Sequence, residues 1–283
     1  MKRGNIMFRV KNFTAREDVN VIDSMGPFTV IEHRRDSSVS PHNAMQAYFC
    51  NEMNVRKRQV ICELSRGNII CQAGAMQWMA GNVHNSTGVK GLGDLLSKVV
   101  RGKATGESAI NPEYMGDGIM VTEPTYKHII LLDVAEWNGS IVLEDGLFLA
   151  CTSGLKQKMV MRTNLSSTVA GGEGLFNLSL EGKGVCCLES DYPQNELIEV
   201  SLENDVLKLD GNFAIAWSGS LEFSVEKVTK SFVGAVASGE GLVNVYRGTG
   251  KVLFAPFSDI PYDTSAGGNA PRADAQEKNA GKK

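Results

Sequence analysis

One pair of residue types recurs at a spacing that could bring ionisable groups together. Glu is followed four positions later by Asn at Glu107/Asn111, Glu173/Asn177 and Glu240/Asn244, and successive glutamates lie 66 and 67 residues apart. On a strand, residues four apart face the same side, so each Glu and Asn can share hydrogen bonds. Two uses follow. Each carboxylate can accept backbone N–H groups at a neighbouring glycine turn and so lock its own unit. Alternatively the three pairs converge on a central axis, where the carboxylates repel one another unless a cation or small ligand compensates them.

No other set of side chains advertises a reaction. A nucleophile needs a base and an orienting group beside it, and the chain has no G-x-S-x-G. His33, His42, His84 and His128 stand in unrelated contexts, without H-x-H or H-E-x-x-H. The six cysteines, Cys50, Cys62, Cys71, Cys151, Cys186 and Cys187, form no C-x-x-C and read as reduced core or surface thiols. Cys186 and Cys187 adjoin in a strand-like run and should point to opposite faces. The glycine-rich phrases lack the G-K-[ST] of a phosphate loop. The expectation is therefore no catalytic residue, no metal and no cofactor. Arg56-Lys57-Arg58 is the one basic triplet, but no stacking aromatics are interleaved, so it reads as a solvated strand entrance.

Apolar side chains are a second kind of candidate. Leu95, Leu96, Val99 and Val100 make an amphipathic stripe, and Phe232, Val233 and Val236 occupy the corresponding connection of a later unit. Such segments either pack on their own domain or form an interaction surface.

The elements that position these residues repeat. G-x-G follows each Glu/Asn phrase, at Gly116/Gly118, Gly182/Gly184 and Gly248/Gly250, each 66 residues after the last. A fixed period signals a repeat architecture. Each unit opens with two strands around a glycine, ICQAGAMQWMAG, VLEDGLFLACTSG and LKLDGNFAIAWSG, read as hairpins, and closes with IMVTEP, VCCLES or VLFAPF. The predicted fold class is all-β: triplicated double-stranded β-helix or jelly-roll-like units (about 58–124, 125–191 and 192–257) with pseudo-three-fold symmetry and one or two short helices. Residues 1–57 form an N-terminal extension packed on this core, with a short helix opened by Ser40-Pro41 whose apolar residues lie on one face. Residues 258–283 are too polar and Gly/Ala-rich to order.

Bulk properties set limits. A net charge of −3 and a pI of about 5.9 give no pull towards nucleic acid. The N-terminus has no signal-peptide core and no apolar run reaches spanning length, so a cytoplasmic location is expected, with peripheral membrane contact left open.

Several phrases in fixed order are similar to those of the altered-inheritance-of-mitochondria protein 24 family: AGAM at 73–76, GGEGLF at 171–176, AIAW at 214–217, SGEGLV at 238–243 and YRGTGKV at 246–252. The resemblance covers about residues 58–257. It implies a triplicated fold similar to the tryptophan RNA-binding attenuation protein and carries over no catalytic residue. Eukaryotic members are linked to mitochondrial inner-membrane organisation. The expected function is a non-catalytic scaffold or assembly protein, acting through self-association or a protein partner; the alternative is a module for a small ligand or RNA.

Overall fold

The computed structural model describes residues 8–87, 111–161, 176–210, 213–227 and 242–257 of the 283-residue chain. The protein is mostly β, with a single short α-helix among these residues. A hairpin of β1 (Val19–Met25) and β2 (Phe28–His33) turns at Gly26-Pro27, where Gly26 takes a φ of +58°. After helix α1 (Ala44–Glu52) come β3 (Lys57–Glu63), β4 (Ile69–Cys71), β5 (Met76–Ser86) and β6 (Glu113–Thr122). Then follow β7 (His128–Asp133), β8 (Ser140–Leu143), β9 (Phe148–Thr152), β10 (Lys156–Met161), β11 (Phe176–Glu181) and β12 (Val185–Ser190). The last strands are β13 (Ile198–Asp210), β14 (Ala214–Ser218), β15 (Glu222–Lys227) and β16 (Leu242–Phe254).

All the pairings are antiparallel. One sheet runs β1-β2-β3-β6-β4-β9-β12-β7, and β7 comes back against β1 and β3, so the sheet curls into a nearly closed, barrel-like form. The other runs β10-β11-β8-β14-β16-β13. Similar pairing surrounds β6, the consecutive strands β11 and β12, and β16. β6 has β3 and β4 on one side and β5 on the other. β11 and β12 have β8 and β7 on one side, β10 and β9 on the other. β16 has β13 on one side, β14 and β15 on the other.

The uninterrupted apolar runs are buried on both faces, as a strand between two layers must be. Ile129 and Leu131 of β7 point into the barrel with Phe28, Val60 and Met120, while Ile130 and Leu132 pack outward against Ile141, Leu143 and Leu180 of the second sheet. Cys187 joins Cys62 and Cys71 in the barrel, and Cys186 joins Cys151 between the sheets, on opposite faces as the alternation requires. A third cluster lies beyond the second sheet, where Trp217, Phe223 and Tyr246 meet with ring centroids 5.3–5.7 Å apart.

Two expectations need correcting. The strand pairs flanking Gly74 and Gly146 are not hairpins. β8 pairs with β11 and β14 while β9 pairs with β12 and β4, so the Gly146 turn is a corner that carries the chain from one sheet to the other; β4 and β5, about Gly74, both pair with β6 in one sheet, on its opposite sides. Both glycines keep the positive φ (+85° and +78°) that such turns need. The second correction concerns Arg58, which is not solvated but fully buried. Its Nε donates to Glu32 Oε2 at 3.0 Å, and Nη2 donates at 3.0 Å to both Asn54 O and Oδ1. Nη1 faces the carbonyls of Arg56, Tyr126 and Lys127 at 3.3–3.5 Å. A buried guanidinium is tolerable only with its five donors satisfied, and this one is.

Removing one partner of a buried pair strands the other, at a cost of about 3 kcal/mol or more. We therefore expect Arg58→Ala to destabilise the fold in urea by about 3 kcal/mol, the low end of that class, because Arg56 still reaches Glu32 at 2.8 Å. Arg58→Met with Glu32→Met should recover only part of the loss, since the carbonyls around Arg58 stay without donors.

Candidate functional site

Three of the six repeated polar residues fall within the described structure. Asn177, on β11, is buried; its Nδ2 donates to Leu143 O at 2.9 Å and lies 3.3 Å from Glu144 Oε2. It thus closes the end of β8, just before the Glu144-Asp145-Gly146 corner. Asn244 is buried on β16, opposite Leu209 of β13 and Val225 of β15. Asn111, half-buried ahead of β6, donates to Gln157 Oε1 at 3.3 Å, and Gln157 Nε2 approaches Cys151 Sγ at 3.5 Å. Glu107, Glu173 and Glu240 lie outside the described residues, as do Leu95, Leu96, Val99, Val100, Phe232, Val233 and Val236.

The polar groups that do gather were not singled out by spacing. They line a cleft of about 470 Å³ between the N-terminal extension and the barrel, with Arg16, His33, Arg35, Asp36, Lys57 and Gln59 in its wall. Its base is an ordered chain. Gln59 Nε2 donates to Thr122 O at 2.8 Å and to Gln77 Oε1 at 2.9 Å, so Gln59 Oε1 must accept from His33 Nε2 at 2.8 Å. That places a proton on Nε2 of His33. Lys57 Nζ sits 2.7 Å from Asp36 and, with Ser38, holds that carboxyl down to about 2; Arg16 is paired with Asp18. Arg35 has no ion-pair partner among the described residues. Beside the buried Arg58, His128 is held below the usual histidine range, by burial first and then by that cation. A second cleft, of about 320 Å³, opens beside the Gln72–Ala75 turn and faces Glu123 and Glu189. Spacing could not reveal either cleft, because each draws on segments far apart in the chain.

The five buried thiols are poor nucleophiles where they stand. Burial pushes Cys62 and Cys187 well above the ordinary thiol value, Cys71 and Cys186 up to about 12 and Cys151 to about 11. All are free, and Cys50 alone is outside the core.

A frame of this kind defines a mostly β, barrel-like protein whose polar positions are largely spent on its own corners and joints. Residues 52–257 match the family described as mitochondrial biogenesis AIM24, and the chain belongs to that family. It is 30% identical over 194 residues to an uncharacterised protein of Streptococcus pyogenes serotype M6, an alignment covering 66% of this chain and 75% of that protein. A crystal structure of a Streptococcus pyogenes protein superposes with a TM-score of 0.54 at 27% identity, covering 73% of this chain and 90% of that one.

Two outcomes test these assignments. Asn177→Ala removes the side-chain donor to the buried Leu143 carbonyl, and we expect chemical denaturation to show a loss of about 1 kcal/mol. Titration with a chromogenic disulfide should modify one thiol rapidly in the native protein, lost in Cys50→Ser, and six in denaturant.

Proposed function

We propose that this protein is a non-catalytic assembly scaffold, built as three copies of a double-stranded β unit about a pseudo-three-fold axis and working through contact with itself or another protein. The triplication is supported by equivalent closures. Glu123 N donates to Ala75 O at 2.8 Å, Glu189 N to Leu147 O at 2.8 Å and Ala255 N to Phe213 O at 2.9 Å. The first glycine of each G-x-G adopts nearly the same φ, +121°, +122° and +117°. At the second, Gly118, Gly184 and Gly250, a Cβ would collide with Ala80, Thr152 and Ser218, which hold the same place in each unit.

The observation that carries the scaffold reading is how polar and apolar groups are distributed. Asn177, Arg58, Glu32 and Gln59 are engaged inside the frame and five thiols are buried, whereas large apolar side chains such as Met45, Met53, Tyr126 and Phe257 stand exposed. Apolar side chains left in water on a rigid frame suit protein contact. A second reading, a small-ligand module, is favoured by the cleft at His33 and Arg35, where a cation without an ion-pair partner among the described residues suits an anionic ligand.

Light scattering on the purified full chain at several concentrations separates the two. The scaffold reading expects a mass that is a multiple of 30.6 kDa. A monomer at every concentration, with a melting temperature raised by small carboxylates or phosphates and unmoved in Arg35→Ala, His33→Ala, would favour the ligand module.

A further inference from the structure

Helix α1 is inside out. Ala47, Cys50 and Asn51 are its partly covered residues, while Met45, Tyr48, Phe49 and Met53 are 74%, 61%, 60% and 76% exposed. Those four recur at i, i+3, i+4 and i+8 and form one stripe along the helix. The sequence places Ala44, Met45, Ala47, Tyr48 and Phe49 on one face of a helix in an extension packed on the core. The body instead receives the small residues, and the large ones face water.

A nine-residue helix is marginal alone and here gains little from burial, so other contacts must hold it. They act at its C-terminal end. Arg56 Nε donates to Asn51 O at 3.2 Å while its Nη1 pairs with Glu32 at 2.8 Å, and Arg58 clamps Asn54 just beyond the helix. Tyr48 and Phe49 meet edge to face at 5.5 Å, which sets their rings in advance. The buried charges of the barrel thus present a fixed row of Met, Tyr, Phe and Met to the outside.

We infer that this row is the contact between two copies of the chain, with α1 lying antiparallel to its mate about a two-fold axis. The inference rests on the self-association reading above and names its surface. An isologous contact needs a patch that matches itself, and an antiparallel copy offers the same stripe in length, period and side-chain size. The exposed parts of the four side chains and of Val55 amount to about 600 Å² per chain, more than scattered surface residues supply and close to the ~800 Å² per partner of a standard interface. Met, Tyr and Phe are the types enriched at interface cores, and the stripe carries no charge. A membrane fits less well: α1 has no Lys or Arg, and Glu52 is its one charged residue, whereas helices lying on anionic bilayers carry a basic face.

The test uses the full chain with Tyr48→Asp and Phe49→Asp together, and Val21→Asp with Ile22→Asp as a control on the exposed edge strand β1. Light scattering should show the wild-type and control masses equal and the α1 variant two-fold lighter, with an unchanged melting curve. Should the aspartates impair folding, the uncharged pair Tyr48→Gln and Met53→Gln serves the same comparison. An α1 variant with the wild-type mass would overturn the inference while leaving self-association standing. A wild-type monomer would remove both. A monomer that floats with phosphatidylcholine–phosphatidylglycerol vesicles, and loses flotation in the α1 variant, would assign the face to a bilayer instead.

Discussion

The guanidinium of Arg58 fixes the geometry around it. Its five donors must all be satisfied once it leaves water, and the acceptors come from four places: Glu32 on β2, Asn54 after α1, the Arg56 carbonyl and the 126–127 linker. None of these can move far without stranding a buried charge. β2 is thereby pinned to β3, α1 to the barrel, and the linker to the point where β7 begins its return. Backbone bonds reinforce the joint, since Arg58 and Thr125 exchange N–H···O contacts at 2.7 and 2.9 Å. Closure of the barrel-like sheet and presentation of the helix therefore depend on one cation.

Away from that joint the constraint is burial on both faces. Strands such as Ile129–Leu132 and Val185–Leu188 serve two apolar layers at once, so they cannot tilt without opening a void in one of them. The chain meets this with short strands and corners, at which backbone groups need other partners. Asn177 supplies one at the end of β8; Gly116 and Gly118 let the β5 backbone approach where a Cβ would not fit, and Gly184 and Gly250 leave room for the side chains of Thr152 and Ser218. The exposed edges are handled differently. β13 spans thirteen residues but carries Glu199, Glu203, Asp205, Lys208 and Asp210, charges that discourage strand addition by another chain.

Much of this was legible in the sequence because it is local. The opposite facing of Cys186 and Cys187 follows from strand alternation, and the fixed period of G-x-G marks positions whose backbone only glycine adopts readily. What was not legible depends on partners distant in the chain. Arg58 looks like one of three surface cations until the β2–β3 pairing brings Glu32 to it from 26 residues away. The strands about Gly146 look like a hairpin because a glycine turn between two apolar strands usually makes one; that β8 and β9 join different sheets is decided by β14 and β12. The helix was legible as a helix, but periodicity identifies an apolar stripe without saying which way it faces.

That last ambiguity bears on function. An apolar stripe normally orients its helix, because burying Met, Tyr and Phe is the main gain the helix can make. In α1 the orientation is set against that gain, by Arg56 and Arg58 bonding the backbone and Asn54 at its end. Covering Met45, Tyr48, Phe49 and Met53 would return the gain that this orientation forgoes. In the proposed α1 contact, the charges that close the barrel would also set where a partner docks, so the stability of the frame and recognition by it would rest on one set of contacts.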